Sequence, residues 1–167
     1  MNRSKDGLTS PFRMASDGIA ISPDGKVLFF CPLTSRHLYS ISTVALRDRT
    51  IPDLDLRYHV KYWGEKGASD GMITDAKGNG YVGDYENNSI QKILPNGIIE
   101  TMAHDPRILW PDTFSIGPDR YLYVIVNQLH RQVRFHYGKD LRQKPYGLVR
   151  MKIYELPAPT FSIIKCL

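Results

Sequence analysis

Three segments of the chain repeat one pattern, and a repeat of this period restricts the fold more than any other feature of the sequence. Each segment contains an aspartate, a short run typical of a strand, a turn with Asp or Gly, and a second run rich in aromatic and aliphatic residues. The aspartates are Asp17, Asp70 and Asp112, separated by 53 and 42 positions. These intervals suit the blades of a β-propeller, which are four-stranded sheets of about 40 to 50 residues.

Turn signals within the repeat predict hairpins between antiparallel strands. Pro23-Asp24-Gly25 and Pro118-Asp119 place proline at the first corner of a tight turn, where its fixed φ angle is favourable. A turn of helix is expected at 43–48, inside the longer first unit. We therefore predict an all-β fold, a partial β-propeller of about three four-stranded blades. A closed propeller has about four to eight blades, so three blades are an arc of a ring.

The chain is expected to form a single partial propeller over residues 1–167. The predicted blades lie near 14–60, 61–105 and 106–155, and a tail follows at 156–167.

Composition narrows the class of protein. Apolar residues make up 42% of the chain and charged residues 23%, values typical of a globular domain. No apolar run approaches the roughly 18 residues of a membrane-spanning helix, so no membrane is expected as a partner. The N-terminus lacks the apolar core of a signal peptide, so the sequence predicts no export signal and leaves the localisation undetermined.

The net charge of +5 results from basic residues concentrated late in the chain. They are Arg131, Arg134, Lys139, Arg142, Lys144, Arg150 and Lys152. A nucleic-acid partner would require a recognition element or aromatic residues grouped for stacking, and the sequence contains neither. We interpret these residues as a solvated strand face and expect no nucleic acid as a partner.

Other reactive residue types do not form a known motif. The five histidines include no HExxH, and no Ser lies in a GxSxG sequence. Cys31 and Cys166 lack both CxxC spacing and the pattern of a disulfide framework. Cys31 lies beside Phe29 and Phe30, so it is predicted to be buried.

The repeated aspartates are the leading candidates for a site. Equivalent residues of successive blades converge on the propeller axis, so Asp17, Asp70 and Asp112 are expected to face one channel. Carboxylates placed this way repel one another unless they share a cation or protons, or face water. Calcium, or another divalent metal, suits such a ring of oxygens. The alternative is that Asp17 and Asp70 cap turns around Gly18 and Gly71.

A second row of polar residues lies 14 or 15 positions after each aspartate, near the ends of the second strands. It contains Pro32, Asp84 and Asn127, and the segments 84–88 and 127–131 add donors, acceptors and an aromatic ring. These segments could line a ligand pocket. The alternative is that they are polar loops between strands.

Two stretches resemble the yellow / major royal jelly protein family. Residues 32–41, Pro-Leu-Thr-Ser-Arg-His-Leu-Tyr-Ser-Ile, are similar to a "PL-S-R-LY-V" stretch of that family. The segment from Arg107 to Leu129, with Leu109-Trp110-Pro111-Asp112, resembles its last-blade "L-WPD … L-V-SN" pattern. Ala68-Ser69-Asp70-Gly71-Met72 looks like the "SDG" opening of a blade in bacterial members. The tail 161–167 has no counterpart in the pattern.

This resemblance implies a six-bladed ring, of which the chain would be the C-terminal half. It also implies a central cavity that binds aromatic amines in some members, with Asp and Asn meeting the ammonium group. More distantly, the chain is similar to gluconolactonase-type propellers. In those proteins an acidic and amide ring holds a divalent metal, and Asp17 and Asp70 match two such ligand positions.

Three functions remain open at this stage. The first is a small-molecule-binding propeller, with Asp17, Asp70, Asp84, Asp112 and Asn127 as candidate ligand-binding residues. The second is an enzyme, either a metal-dependent lactonase or a dopachrome-type tautomerase. The third is a fragment without independent activity. For partners, the sequence leads us to expect a small molecule, together with either a second copy in a homodimer or an N-terminal half that the chain lacks.

Overall fold

The chain folds into a short hairpin followed by three antiparallel sheets packed side by side. The computed structural model describes residues 2–5 and 8–159. The hairpin pairs β1 (Asn2–Lys5) with β2 (Leu8–Pro11). The first sheet has the order β3 (Ser16–Ile21), β4 (Val27–Pro32), β5 (His37–Ser42), β6 (Val60–Glu65).

The second and third sheets repeat this meander. The second contains β7 (Met72–Thr74), β8 (Gly80–Asp84), β9 (Ser89–Ile93) and β10 (Ile99–His104) in sequence order. The third contains β11 (Pro111–Ile116), β12 (Tyr121–Val126) and β13 (Gly147–Lys152). The first strands of the three sheets, β3, β7 and β11, are neighbours in space. The fold is therefore all-β, a partial β-propeller whose three blades place their first strands nearest the axis.

Two details differ from the simplest version of the repeat. The first sheet runs to Glu65, beyond residue 60, where the sequence places the end of the first blade, because β6 pairs with β5. The third sheet has three strands in the described part of the chain, not four. After β13 the chain leaves that sheet, and Pro157 forms an antiparallel bridge with Asp75 at the end of β7. Residues 160–167, most of the predicted tail, lie outside the described residues.

The joints between blades are apolar because alternate residues of each strand face the neighbouring blade. Leu38 of the first blade packs with Val82 and Ile93 of the second. The joint between the second and third blades is larger. It contains Tyr81, Ile90, Phe114, Ile116, Leu122, Val124 and Val126, all buried.

Glycine in the repeated Asp-Gly pair allows the blades to approach each other closely. A Cβ on Gly18 would overlap the carbonyl oxygen of Asp70, and a Cβ on Gly71 would overlap the carbonyl oxygen of Asp112. The backbones of the second and third blades thus lie directly against the glycine of the preceding blade. In the third blade the equivalent residue is Thr113, which is exposed.

Several smaller expectations can be compared with the structure. The predicted turn of helix is α1 (Thr43–Arg47), whose first turn is capped by Ser42, since its Oγ accepts from the Val44 amide at 3.2 Å. Cys31 is fully buried, as predicted; Cys166 lies outside the described residues. In the described part of the chain no helix is long and apolar enough to cross a bilayer.

The interpretation of the late basic residues as a solvated strand face holds for only two of them. Only Arg150 and Lys152 lie on a strand, β13. The others, Arg131 to Lys144, lie in the long connection between β12 and β13, which contains 3₁₀ turns at Leu129–Arg131 and Val133–Phe135. A third such turn, Leu56–His59, precedes β6. The prediction of a single strand face was therefore wrong for most of them, because a connection of this length carries them outside the sheet.

Candidate functional site

The three repeated aspartates lie at the same end of the sheets, where β3 and β11 begin and just before β7 begins. Asp17 is the extra residue of a β-bulge in β3 and is exposed. Asp112, on β11, is half-buried, and Asp70 is only 6% exposed. The carboxyl of Asp70 interacts with both Asp17 and Asp112, so the structure brings the three groups together in one carboxylate cluster.

Side chains from the third blade hold two of these carboxylates in place. The indole Nε1 of Trp110 donates to Oδ2 of Asp70 at 2.7 Å. The amide Nδ2 of Asn127 donates to Oδ2 of Asp112, and Oδ1 of Asn127 accepts from the Leu129 amide at 2.9 Å. Asp70 and Asp112 thus accept bonds from side chains, and Gly18 and Gly71, which follow Asp17 and Asp70, lie against the backbone of the next blade.

Burial and the nearby negative charges favour protonation of Asp70 and Asp112. Burial raises the pKa of Asp70 to about 7, and the charges of Asp112 and Asp17 act in the same direction. The Trp110 hydrogen bond opposes this shift by stabilising the carboxylate. Burial also raises the pKa of Asp112, against the hydrogen bond from Asn127. A cation bound here would remove the repulsion and favour the ionised forms.

A metal fits this cluster less well than the sequence led us to expect. Among the described residues, no group of three or more His, Cys, Asp and Glu side chains is arranged to hold a metal ion. Asp17 and Asp70, the two predicted metal ligands, lie together with Asp112, but within residues 2–5 and 8–159 these carboxylates are not arranged as a metal-binding group.

Asp84 and Asn127 of the second polar row have different surroundings. Asp84 is 4% exposed and organises its own loop, since its oxygens accept from the Glu86 amide at 3.2 Å and from Nδ2 of Asn87 at 2.7 Å. Asn127 joins the carboxylate cluster through Asp112. The structure thus brings Asn127, but not Asp84, into contact with the repeated aspartates.

An aromatic cleft opens beside the cluster. The rings of Tyr85 and Trp110 stack with centroids 3.8 Å apart, and the His130 ring stacks on Trp110 with centroids 5.8 Å apart. The cleft has a volume of about 550 Å³. Its lining residues are Asn2, Pro11, Phe12, Thr34, Arg36, Ala68, Tyr85, Glu86, Trp110 and His130. Trp110 belongs to both features, because its ring lines the cleft and its Nε1 binds Asp70.

The sequence reasoning missed the role of Trp110. One signal was available: Ala15 and Ala68 open the first two repeats two positions before the aspartate, and Trp110 replaces alanine in the third. Trp110 also has a positive φ of 64°, which is uncommon outside glycine.

A buried lysine fixes the segment that leads into Asp70. Lys66 is 3% exposed, and its Nζ donates to Oγ of Ser69 and to the carbonyl oxygen of Gly67. Oγ of Ser69 lies 3.3 Å from Sγ of Cys31 in the first blade. Burial lowers the pKa of Lys66. These contacts link the residue before Asp70 to both blades and restrict its position.

Comparison with known proteins agrees with this architecture. The family model described as major royal jelly protein matches residues 3–160. A search of curated proteins finds no significant match. Among solved structures, the chain is similar to a gluconolactonase from Xanthomonas campestris, with a TM-score of 0.59 and 13% identity over 87% of this chain.

Two further structures show the same likeness. A calcium-binding protein, regucalcin, from Agrobacterium tumefaciens gives a TM-score of 0.51 and 17% identity over 87% of this chain. Virginiamycin B lyase from Staphylococcus aureus gives 0.52 and 16% over 90%. Such identities establish the fold alone. The chain spans 45%, 50% and 47% of the gluconolactonase, regucalcin and lyase chains, respectively.

Proposed function

The chain belongs to the major royal jelly protein family, and on this premise we propose that it binds a small organic cation of the aromatic amine class. The ammonium group binds at the carboxylate cluster, and the aromatic part binds in the neighbouring cleft. The observation that carries the proposal is the convergence of Asp17, Asp70 and Asp112 from three blades.

Charge supports the first half of the proposal. A buried carboxyl whose pKa lies near 7 loses its proton more easily when a positive group approaches. An ammonium donates up to three hydrogen bonds and requires no fixed coordination geometry, in contrast to a metal ion. An incomplete ring of oxygens therefore suits an ammonium better than it suits calcium.

The cleft supports the second half. Its volume of about 550 Å³ lies within the range of small-molecule sites, about 300–1,000 Å³. Trp110 is buried within the stack, and the half-buried rings of Tyr85 and His130 offer flat surface on which an aromatic ligand stacks with its ring offset. Glu86 and Arg36 form an ion pair of 2.7 Å at the rim, so the lining also provides polar contacts.

Isothermal titration with three related probes tests the proposal. Tyramine carries a phenol and an ammonium, 4-ethylphenol lacks the charge, and 3-(4-hydroxyphenyl)propionate reverses it. We expect tyramine to bind at least about tenfold more tightly than either analogue, a difference of about 1.4 kcal/mol. Equal affinity for the three probes would show that the carboxylates do not select the ligand.

Two variants locate the site. Asp70→Asn keeps the shape and the acceptor for Trp110 but removes one negative charge, so it should weaken tyramine binding. Asp24→Asn is the matched control, because Asp24 is exposed in the turn between β3 and β4, at the other end of the first blade. Loss of affinity in both variants alike would indicate a general charge effect and would contradict the site.

Calcium is the second candidate ligand of the same cluster. The cluster provides three carboxylates, and a solved structure with this fold is described as a calcium-binding protein. If Asp17 and Asp70 hold calcium, adding calcium should raise the melting temperature, since ligand binding to the folded state stabilises it. Asp70→Asn should reduce that rise. The lactonase alternative requires a complete metal site, which the described residues do not form, so the organic cation is the better-supported ligand.

A further inference from the structure

The two ends of the blade arc present faces of different chemistry. Successive residues of a strand face opposite sides of the sheet. In the first blade, Gly18 and Phe29 face the second blade, so the neighbouring residues along each strand face away from it. The outward residues form what we call the leading face: Ile19, Ile21, Phe30, Tyr39 and Tyr62. Ile19 is 59% exposed and Tyr62 is 55% exposed.

Aromatic rings dominate the leading face. Phe30 stacks on Tyr39 with centroids 5.6 Å apart, and Tyr39 lies 5.7 Å from Tyr62. His37 packs edge-on against Tyr62 at 5.2 Å, and Glu65 lies 3.4 Å from its Nε2. The leading face is therefore apolar and aromatic, with one carboxylate at its edge. An exposed apolar surface of this kind marks an interaction site.

The opposite end, which we call the trailing face, is cationic. Leu122, Val124 and Val149 point into the joint with the second blade, so the alternate residues point outward. These outward residues are Tyr121, Tyr123, Ile125, Leu148, Arg150 and Lys152. The guanidinium of Arg150 lies 3.7 Å from the centroid of the Tyr121 ring, and Nζ of Lys152 lies 4.6 Å from it. Arg150 also pairs with Asp119 at 3.3 Å.

We propose that a second copy of the chain covers both faces, each trailing face packing on the leading face of the other copy around a two-fold axis. The chemistry favours this pairing, because Arg150 and Lys152 meet aromatic rings and Glu65 rather than other cations. Two trailing faces brought together would place four like charges in contact. The length agrees, since one chain spans 45–50% of the similar propeller chains and two copies provide one ring.

Closure would also complete the carboxylate cluster. A two-fold axis along the channel brings a second set of Asp17, Asp70 and Asp112 to the same opening. The proposal does not rest on ligand binding, since the mass of the particle tests it without any ligand.

The residue at position 113 affects the expected affinity of the dimer. At the two joints within the chain, a glycine after the aspartate leaves room for the backbone of the next blade to approach closely. At the joint between copies, Thr113 takes the place of glycine, and its Cβ holds the neighbouring backbone away. The joint is therefore looser than those within the chain, and the dimer is expected to dissociate on dilution.

Sedimentation equilibrium of the full chain over a range of micromolar concentrations tests the proposal. We expect a reversible change between 19.1 kDa and about twice that mass. Tyr62→Asp on the leading face and Ile125→Asp on the trailing face should each abolish the dimer. Ile98→Asp is the control, because Ile98 is as exposed as Tyr62 but lies in a turn of the middle blade.

Thr113→Gly provides the opposite change. It should strengthen dimerisation by about tenfold in the dissociation constant, whereas Ser115→Gly, on the same face of the same strand, should not. A monomer at every concentration would overturn the proposal. Sensitivity to Tyr62→Asp but not to Ile125→Asp would overturn it too, because that result indicates pairing of two leading faces.

Discussion

The indole of Trp110 in the third blade donates a 2.7 Å hydrogen bond to the carboxylate of Asp70 in the second. Both residues are buried, at 1% and 6% exposure. A buried carboxylate without a donor would be strongly disfavoured, so this bond makes the charged form of Asp70 accessible. Burial and the charges of Asp112 and Asp17 act against it, and the balance leaves the pKa of Asp70 at about 7.

Trp110 fluorescence should therefore report the protonation of Asp70. Ionisation changes the field at the indole Nε1, so the emission should change with a midpoint near pH 7. Trp63, the other tryptophan, lies in the joint between the first two blades and can be removed as Trp63→Phe. In that background Asp70→Asn should eliminate the transition. A midpoint below pH 5 would show that Asp70 is not shifted upward.

The same shift predicts how stability depends on pH. The pKa of Asp70 is raised in the folded state, so between about pH 4 and pH 7 the folded state holds a proton that the unfolded state has lost. This contribution makes the free energy of unfolding fall as pH rises through that window, and it is constant above it. Asp70→Asn removes the contribution.

Thermal unfolding of the two proteins measures this effect. The melting temperature of Asp70→Asn, relative to the wild type, should increase from pH 4 to pH 7 and then stay level. Asp24→Asn is the control. Hydrogen bonds from Ser22 and Lys26 lower the pKa of Asp24, so this variant should show no such increase relative to wild type between pH 4 and pH 7. A difference between Asp70→Asn and wild type that is flat from pH 4 to pH 7 would contradict the assignment.

The glycines at the blade joints should tolerate no side chain. Gly71→Ala places a Cβ against the carbonyl oxygen of Asp112, a backbone atom that cannot rotate away. Overpacking of this kind lowers the free energy of unfolding by about 1–3 kcal/mol. Gly80→Ala is the matched control in the same blade, because its Cβ would lie 3.6 Å from Cβ of Ile93, an ordinary contact. Urea unfolding should separate the two variants, and equal stability would contradict the close approach.

The sequence was sufficient for the class of fold because the repeat carries its own evidence. Asp-Gly marks the start of the first strand in two repeats and Asp112 marks it in the third, and turn residues at 23–25, 77–80 and 118–119 fix the hairpins that follow. The sequence could not show why the glycine is there. Considered alone, the glycine resembles an ordinary turn residue. Its contact with the backbone of the next blade, which lies 42 or 53 positions later in the sequence, is visible only in the structure.

The site was predictable in part for the same reason. Equivalent positions of a repeat converge, so Asp17, Asp70 and Asp112 could be named from their spacing. The Tyr85–Trp110–His130 stack could not, because its members come from a loop, a strand entry and a 3₁₀ turn that share no periodicity. Asp84 follows the pattern of a pocket residue, yet its oxygens are used by its own loop.

Asp75 lies five positions after Asp70, and the two carboxylates should behave in opposite ways. Asp75 is fully buried and accepts four hydrogen bonds, from the amides of Lys77 and Asn79, from Nδ2 of Asn79 and from the hydroxyl of Tyr81. Burial and this carboxylate raise the pKa of Tyr81, so its hydroxyl remains a donor. Asp75 thus has no free acceptor for a ligand.

Asp75→Ala should lower the free energy of unfolding by at least about 2 kcal/mol, since hydrogen bonds to a charged group contribute about 1.5–3 kcal/mol and their donors would be left buried and unpaired. The folded protein should still bind tyramine with unchanged affinity. Asp70→Asn should show the reverse, with weaker binding and no loss of stability at pH 8. Calorimetric titration below the unfolding temperature, paired with urea unfolding, separates the two effects. A loss of binding in folded Asp75→Ala would show that the far end of the second blade also controls the carboxylate cluster.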